Sequence, residues 1–163
     1  MIIAREIKFR GKDILSGDWR YGYAQFNYDK TRAQIISPLR IDISAFPGQF
    51  FHVDKETVGQ FTGLLDKIGK EIYEGDILRV NEYKNEAIPL FKYDDIQQLS
   101  LDDVKGKKTK EWIGEVEFEE SAFFIKDTYL SAFHGDMRLS SPIYEIEVIG
   151  NKFDNPELLE ESI

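Results

Sequence analysis

The sequence predicts a mainly β fold, of the β-rich α+β class, built from antiparallel strands with few short helices. Three observations carry that prediction. Aromatic residues make up 13% of the 163 residues, with 12 Phe and 8 Tyr against 2 Met, and such rings pack well on a pleated, half-buried surface. Strict alternation recurs, in Trp19-Arg20-Tyr21-Gly22-Tyr23 and again in Glu115-Val116-Glu117-Phe118-Glu119, which is the period of a strand with two unlike faces. Turn signals punctuate the chain at short intervals. The clearest helical spacing carries two glycines, each costing about 1 kcal/mol relative to Ala in a helix interior.

The elements follow in order. Ile3, Arg5, Ile7 and Phe9 alternate loosely up to Gly11-Lys12-Asp13, which predicts a first strand ending in a turn at 11–13. Gly17-Asp18 marks another turn, after which Trp19, Tyr21 and Tyr23 share one face of a second strand, the hairpin partner of the first. Alternation at the sheet period favours the core for that face, with an exposed stacking platform as the alternative. Residues 33–43 carry β-branched side chains around Ser37-Pro38, so an edge strand or two short strands are expected. Phe46-Pro47-Gly48 closes that segment, and Phe50, Phe51 and Val53 open the next strand.

Val58, Phe61, Leu64 and Leu65 stand at spacings of three and four, which predicts a helical turn or two, cut short by Gly59 and Gly63. Asp66 to Lys70 forms a turn, and Glu74-Gly75-Asp76 a tight bend delivering the chain from Ile72-Tyr73 into a strand at Ile77, Leu78 and Val80. Residues 81–111 lose regular period and read as an inserted excursion with some structure of its own. The strand at Val116 and Phe118 returns through a hairpin turn at Glu119-Glu120-Ser121 to Phe123, Phe124 and Ile125. Tyr129 to Arg138 reads as loop or short helix. Ser140-Ser141-Pro142 precedes a last strand through Ile143, Ile146, Val148 and Ile149, ended by Gly150-Asn151. Asn155 before Pro156 fits an N-cap followed by Pro at the first helical position.

A short strand out of a Gly-Asp bend, a glycine-containing strand pair and a closing strand resemble the pattern of SH3-like barrels, here partly open. The expected organisation is one domain, 1–163, with an N-terminal β-rich part at 1–70 and the barrel-like part at 71–153, interrupted by the 81–111 excursion.

Composition excludes several function classes. With 21 Lys and Arg against 30 Asp and Glu the formal charge is −9, a field that repels phosphate backbones unless a basic face is segregated from it. Nucleic acid is therefore a disfavoured partner. Arg5, Lys8, Arg10 and Lys12 form one short basic cluster, and Lys105, Lys107, Lys108 and Lys110 a second. The chain has no cysteine, which removes disulfides, thiolate nucleophiles and Cys-ligated metal sites. No apolar run approaches the roughly 20 residues of a membrane span, and the N-terminus lacks a signal-type apolar stretch. A cytoplasmic protein with no membrane partner is the expectation.

Four blocks taken together carry a resemblance: Arg5-Glu6-Ile7-Lys8-Phe9-Arg10-Gly11-Lys12; Gly17-Asp18-Trp19-Arg20-Tyr21-Gly22; Thr57-Val58-Gly59-Gln60-Phe61-Thr62-Gly63-Leu64 with Asp66, Gly69 and Ile72-Tyr73-Glu74-Gly75-Asp76-Ile77; and Ile146-Glu147-Val148-Ile149-Gly150-Asn151 followed by Asn155-Pro156-Glu157-Leu158-Leu159. In that order they resemble the YopX family, small proteins encoded mainly by bacteriophages and prophages. The resemblance implies a phage or prophage origin, residence in the bacterial cytoplasm and a mostly β fold, and it leaves self-association open. It brings no established activity and no catalytic residue.

The candidate chemistry is sparse. His52-Val53-Asp54 puts His and Asp on one strand face, as a ligand pair needs, but no HxH or HExxH pattern supports a metal, and His134-Gly135-Asp136 has no more. Asp94-Asp95 and Asp102-Asp103 read as solvated loop acids rather than a Mg²⁺ site. The glycines at 59, 63 and 69 lack the GxGxxG or GKS/GKT context of a phosphate loop, and Ser16, Ser100 and Ser121 lack a nucleophile elbow. No catalytic residue, metal site or cofactor is expected. The candidate binding residues are Trp19, Tyr21, Tyr73, Glu74 and Asp76. For Glu74-Gly75-Asp76 the structural alternative is that Gly permits the bend while Asp76 caps backbone amides.

The expected function is that of a non-enzymatic accessory module that binds a host or phage protein or assembles with itself. Nucleic-acid binding by the barrel through the N-terminal basic residues and exposed aromatics is the alternative, and a metal-assisted hydrolase around His52, Asp54 or His134 comes behind it.

Overall fold

The computed structural model describes residues 6–37, 49–84, 107–119, 122–126 and 144–160. Of these, 70% lie in strands and 4% in helix, and the sheets are antiparallel, as the alternation predicts. The chain forms two compact units, Met1–Gly63 and Leu64–Ile163. No helix among the described residues is long and apolar enough to cross a membrane.

The first unit is built on β1 (Phe9–Asp13), β2 (Trp19–Phe26), β3 (Ala33–Ser37) and β4 (Gln49–Leu65) as far as Gly63. These strands neighbour one another in sequence order, and β1 pairs with β4 as well as β2, which closes a ring. Ala33, Ile35 and Val53 fill its interior, with Phe9, Ala24, Phe51 and Val58 packed against them.

Two predictions are corrected here. Gly11-Lys12-Asp13 is strand, not turn: an added Cβ at Gly11 would stand 2.9 Å from Val53 Cγ2, so this glycine serves close packing. The chain turns at 14–17 instead, where the Gly17 N–H donates to the Asp13 carbonyl at 2.8 Å. Likewise, the segment of Val58, Phe61, Leu64 and Leu65 is not helical but the second half of β4. Burial there falls at Thr57, Gly59 and Phe61, every second residue, and the Phe61 N–H donates to the Lys8 carbonyl at 2.8 Å. The pairing shifts between Arg10↔Gly59 and Lys12↔Asp54, a bulge that Thr57 fills by accepting the Lys12 N–H at 2.8 Å and donating to the Asp54 carbonyl at 2.6 Å.

In the second unit a turn closed by the Asp66 N–H on the Lys70 carbonyl leads into β5 (Glu71–Tyr73), then β6 (Asp76–Lys84), β7 (Lys107–Glu119), β8 (Ala122–Ile125), β9 (Tyr144–Asn151) and a single helical turn, α1 (Glu157–Glu160). The last four strands form a sheet in the order β8-β7-β6-β9. Ile72, Leu78, Val80, Val116, Phe123 and Ile125 are the centre of its core. The partly open SH3-like barrel expected at 71–153 is not seen among the described pairings, and the ring that the described strands do form, through β1 and β4, lies in the N-terminal unit. β7 and β8 pair as the predicted hairpin requires, with Glu119 opposite Ala122 and residues 120–121 of the turn outside the described residues, and the last strand ends at Gly150-Asn151 as expected. Gly150 admits the helical turn: a Cβ there would lie 2.7 Å from Asn155 Oδ1 and 2.9 Å from Leu158 Cδ1.

Residues 81–84 and 107–111, expected within an irregular excursion, continue β6 and β7 as paired strand. Residues 107–111 are exposed, so this part of β7 has no alternation to read, and the buried residue opposite it in β6 is the polar Asn81. The expectations for residues 3–5, 38–48, 85–106 and 127–143, including His134 and the paired aspartates, lie outside the described residues.

Candidate functional site

The outer face of the N-terminal sheet is set by register. Ala24 lies opposite Ile35, and Ile35 opposite Phe51; these point into the core. The alternate residues therefore point outward and form rows across three strands. Tyr23, Ile36 and Phe50 make one row, and Gln25, Gln34 and His52 the next. Tyr21 is 46% exposed, Tyr23 60% and Phe50 50%, so the face carries exposed aromatic rings, with Ile36 between Tyr23 and Phe50. Trp19 is half-buried, with the Arg10 guanidinium 4.6 Å from its ring centroid.

The aromatic face of β2, for which burial was favoured, is thus the outward one. Its inward positions are Gly22, which is buried, and Ala24. A small closed ring has little room inside, and a Cβ at Gly22 would stand 2.1 Å from the Ile36 carbonyl oxygen. Small residues let β2 close against its neighbour, and the rings are left outside.

Beside these rows lies a groove of about 650 Å³ whose lining includes Lys12, Asp13, Arg32, His52, Asp54 and Lys55. A smaller recess of about 260 Å³ shares Arg32 and His52 and adds Gln25, Phe26, Asn27 and Gln34. Among the described residues the Arg32 guanidinium has no hydrogen-bond or ion-pair partner, while its backbone is fixed: its N–H donates to Asn27 Oδ1 at 2.8 Å and its carbonyl accepts the Asn27 N–H at 3.2 Å. Asp29 Oδ1 accepts the Thr31 hydroxyl at 2.7 Å and the Thr31 N–H at 3.1 Å, bonds that hold the Asp29 carboxyl below its usual range. Lys30, at φ 56, completes this tight turn, which presents Arg32 at the groove.

The groove's acids are engaged elsewhere. Asp13 Oδ1 accepts the N–H groups of Leu15 at 2.9 Å and Ser16 at 3.3 Å, and Oδ2 accepts Arg20 Nε at 3.1 Å. The Leu15 bond above all, with Arg20 and Ser16, keeps this carboxyl below the usual aspartate range against the opposing effect of desolvation. Asp54 Oδ1 accepts the Glu56 N–H at 3.1 Å, and Gln34 Nε2 lies 3.3 Å from the His52 ring nitrogens. Among the described residues no group of three or more His, Cys, Asp or Glu could hold a metal ion.

The remaining candidates lie in the other unit. Tyr73 is 2% exposed and Asp76 1%. Asp76 Oδ2 accepts the Tyr73 N–H at 2.8 Å, and the Tyr73 hydroxyl donates to Glu71 Oε2 at 2.7 Å. Gly75, at φ 80, sits between the half-buried Glu74 and Asp76, donates to the Val116 carbonyl and accepts from the Lys152 N–H. Tyr73, Glu74 and Asp76 therefore build the bend between β5 and β6. Sequence reasoning did not place Phe50, Gln25, Gln34 and Arg32 in the site, because register alone sets Phe50 in the row of Tyr23 and the two glutamines in the next, and the fold alone brings Arg32 to the groove.

Residues 8–160 match the YopX protein family. The chain belongs to the YopX family. The match runs through both units and takes in every residue of the outer face described above. The crystal structure of protein EF1440 from Enterococcus faecalis is similar to this YopX chain, with 25% sequence identity, a TM-score of 0.53, and coverage of 94% of this chain and 98% of that one. No curated protein matches.

Proposed function

We propose that this YopX protein is a phage or prophage accessory module, resident in the bacterial host's cytoplasm, that works by binding and not by catalysis. Its binding surface is the outer face of the N-terminal sheet. The observation that carries this reading is the exposure of Tyr21, Tyr23 and Phe50 on one face, where register sets Ile36 between Tyr23 and Phe50 in a single apolar row. Single exposed apolar residues are ordinary, but contiguous apolar surface marks an interaction site. Tyrosine supplies large contact area at low entropic cost. Tyr73, Glu74 and Asp76 support the second unit's fold and take no part in contact.

The test is capture from lysate of a prophage-carrying bacterium by the tagged chain and by a Tyr23→Ala/Phe50→Ala variant, with light scattering of both. Loss in the variant of a component recovered by the wild type, or loss of a defined oligomer, supports the surface. Equal recovery and equal mass would overturn it.

A further inference from the structure

The chain-wide charge conceals a segregation. Residues 1–63 carry nine Lys and Arg against seven Asp and Glu, a net charge of +2, while residues 64–163 carry twelve against twenty-three, net −11. In the positive unit, Asp13 and Asp29 are committed to turn amides and hydroxyls, and Asp13 to Arg20 as well. The Arg32 guanidinium is unpaired among the described residues, and the groove it lines also bears Lys12 and Lys55, the latter in an exposed ion pair with Glu56 at 2.9 Å that a phosphate can displace.

We infer that the outer face of the N-terminal sheet binds single-stranded nucleic acid, with bases stacked on Tyr23 and Phe50 and backbone phosphates on Arg32, Lys12 and Lys55. This inference rests on the binding-surface reading above. The order of the rows supports it. Tyr23 and Phe50 flank Ile36, two strands apart and so roughly 10 Å from each other, which makes each ring a platform for its own base. About 7 Å along the strands comes the row of Gln25, Gln34 and His52, whose side chains donate to and accept from base edges. Arg32 and the two lysines lie beyond. Apolar ring, hydrogen-bonding amide and cation follow one another as base face, base edge and phosphate do in a nucleotide.

A single strand fits better than a duplex, because stacking on protein rings needs bases free of their own stack. A folded protein partner would have to desolvate the Arg32 guanidinium and the amide row and supply matched acceptors for each. A nucleic-acid strand carries them in every repeat.

The test is fluorescence anisotropy of the full chain with labelled 12-nucleotide single-stranded DNA and RNA and with a duplex of the same length. Two to three phosphate contacts give a log–log salt slope of about −1.4 to −2.1, so affinity should fall about 7- to 18-fold between 50 and 200 mM salt. Tyr23→Ala and Phe50→Ala should each weaken binding about 5- to 150-fold, since every base has a face to stack. Tyr23→Phe should retain it, Arg32→Ala should make the slope shallower by about 0.7, and Ile68→Ala in the other unit should change nothing. Absence of single-strand binding at 50 mM salt, equal affinity for the duplex, or indifference to Tyr23→Ala and Phe50→Ala would overturn the inference. If oligonucleotides fail to bind while the double variant still loses a captured protein or its self-association, the ligand class falls and the surface stands. If neither is lost, both fall.

Discussion

Replacing Asp76 by Ala should destabilise the C-terminal unit and leave ligand binding intact, the reverse of what a binding residue would do. Asp76 is 1% exposed, and its Oδ2 accepts the Tyr73 N–H at 2.8 Å in a buried setting. Hydrogen bonds to a charged group contribute about 1.5–3 kcal/mol, and a buried donor left without its acceptor costs about 1–3 kcal/mol. Truncation removes that acceptor where no solvent replaces it, so the expected loss is about 2–3 kcal/mol. Asp76→Asn keeps an acceptor oxygen and should lose about half as much. The chain has two tryptophans, Trp19 in the first unit and Trp112 against the core of the second. A Trp19→Phe background therefore makes Trp112 the reporter of the unit in question. With a urea m-value of about 2 kcal/mol/M, the Trp112 transition should move down by about 1–1.5 M. A shift under about 0.25 M, or an Asp76→Ala protein of full stability that has lost its ligand, would refute the structural assignment.

Ile35→Ala, at a side chain with 0% exposure in the interior of the first unit, should cost about 2–4 kcal/mol, read from Trp19 fluorescence in a Trp112→Phe background. Tyr23→Ala should stay within about 0.5 kcal/mol of the parent in the same assay, whereas burial of this ring would make the loss several times larger. The depressed pKa of Asp13 gives stability that is fully present above the unfolded aspartate value of about 3.9 and is lost as pH falls through the lower folded value. Urea midpoints between pH 6 and pH 2 should decline less steeply for Asp13→Asn than for the parent.

Where a strand has two unlike faces, the sequence announces it. β2, the β7–β8 hairpin and β9 are all legible as alternation bounded by turn residues. The second half of β4 is not, because its buried positions include Thr57 and Gly59, which carry no apolar signal, while Val58, Phe61 and Leu65 coincide with helical spacing. Gly11 misleads for a related reason. A glycine required by the approach of Val53 is indistinguishable in one dimension from a glycine required by a turn. The strand at 107–111 is hidden because exposed strand has no period to show, and at 81–84 the buried position is Asn81, which carries no apolar signal.

The candidate site exposes the same boundary between what is local and what is not. Alternation states that Trp19, Tyr21 and Tyr23 share a face, but not which face is inside. Hydrophobicity favours the aromatic side for the core, and in an open sheet packed on a helix that preference would decide the matter. In a small closed ring volume decides instead. The interior is filled by Ala33, Ile35 and Val53, and β2 meets them with Gly22 and Ala24. The small residues between the rings are thus the ones the fold selects for its interior, and that selection leaves the rings outside. The chain's charge is an average in the same sense, the net −9 being the sum of +2 over residues 1–63 and −11 over residues 64–163. The misreading of β2 comes from averaging over a strand, and it is corrected by the geometry that brings Tyr23, Ile36 and Phe50 into one row.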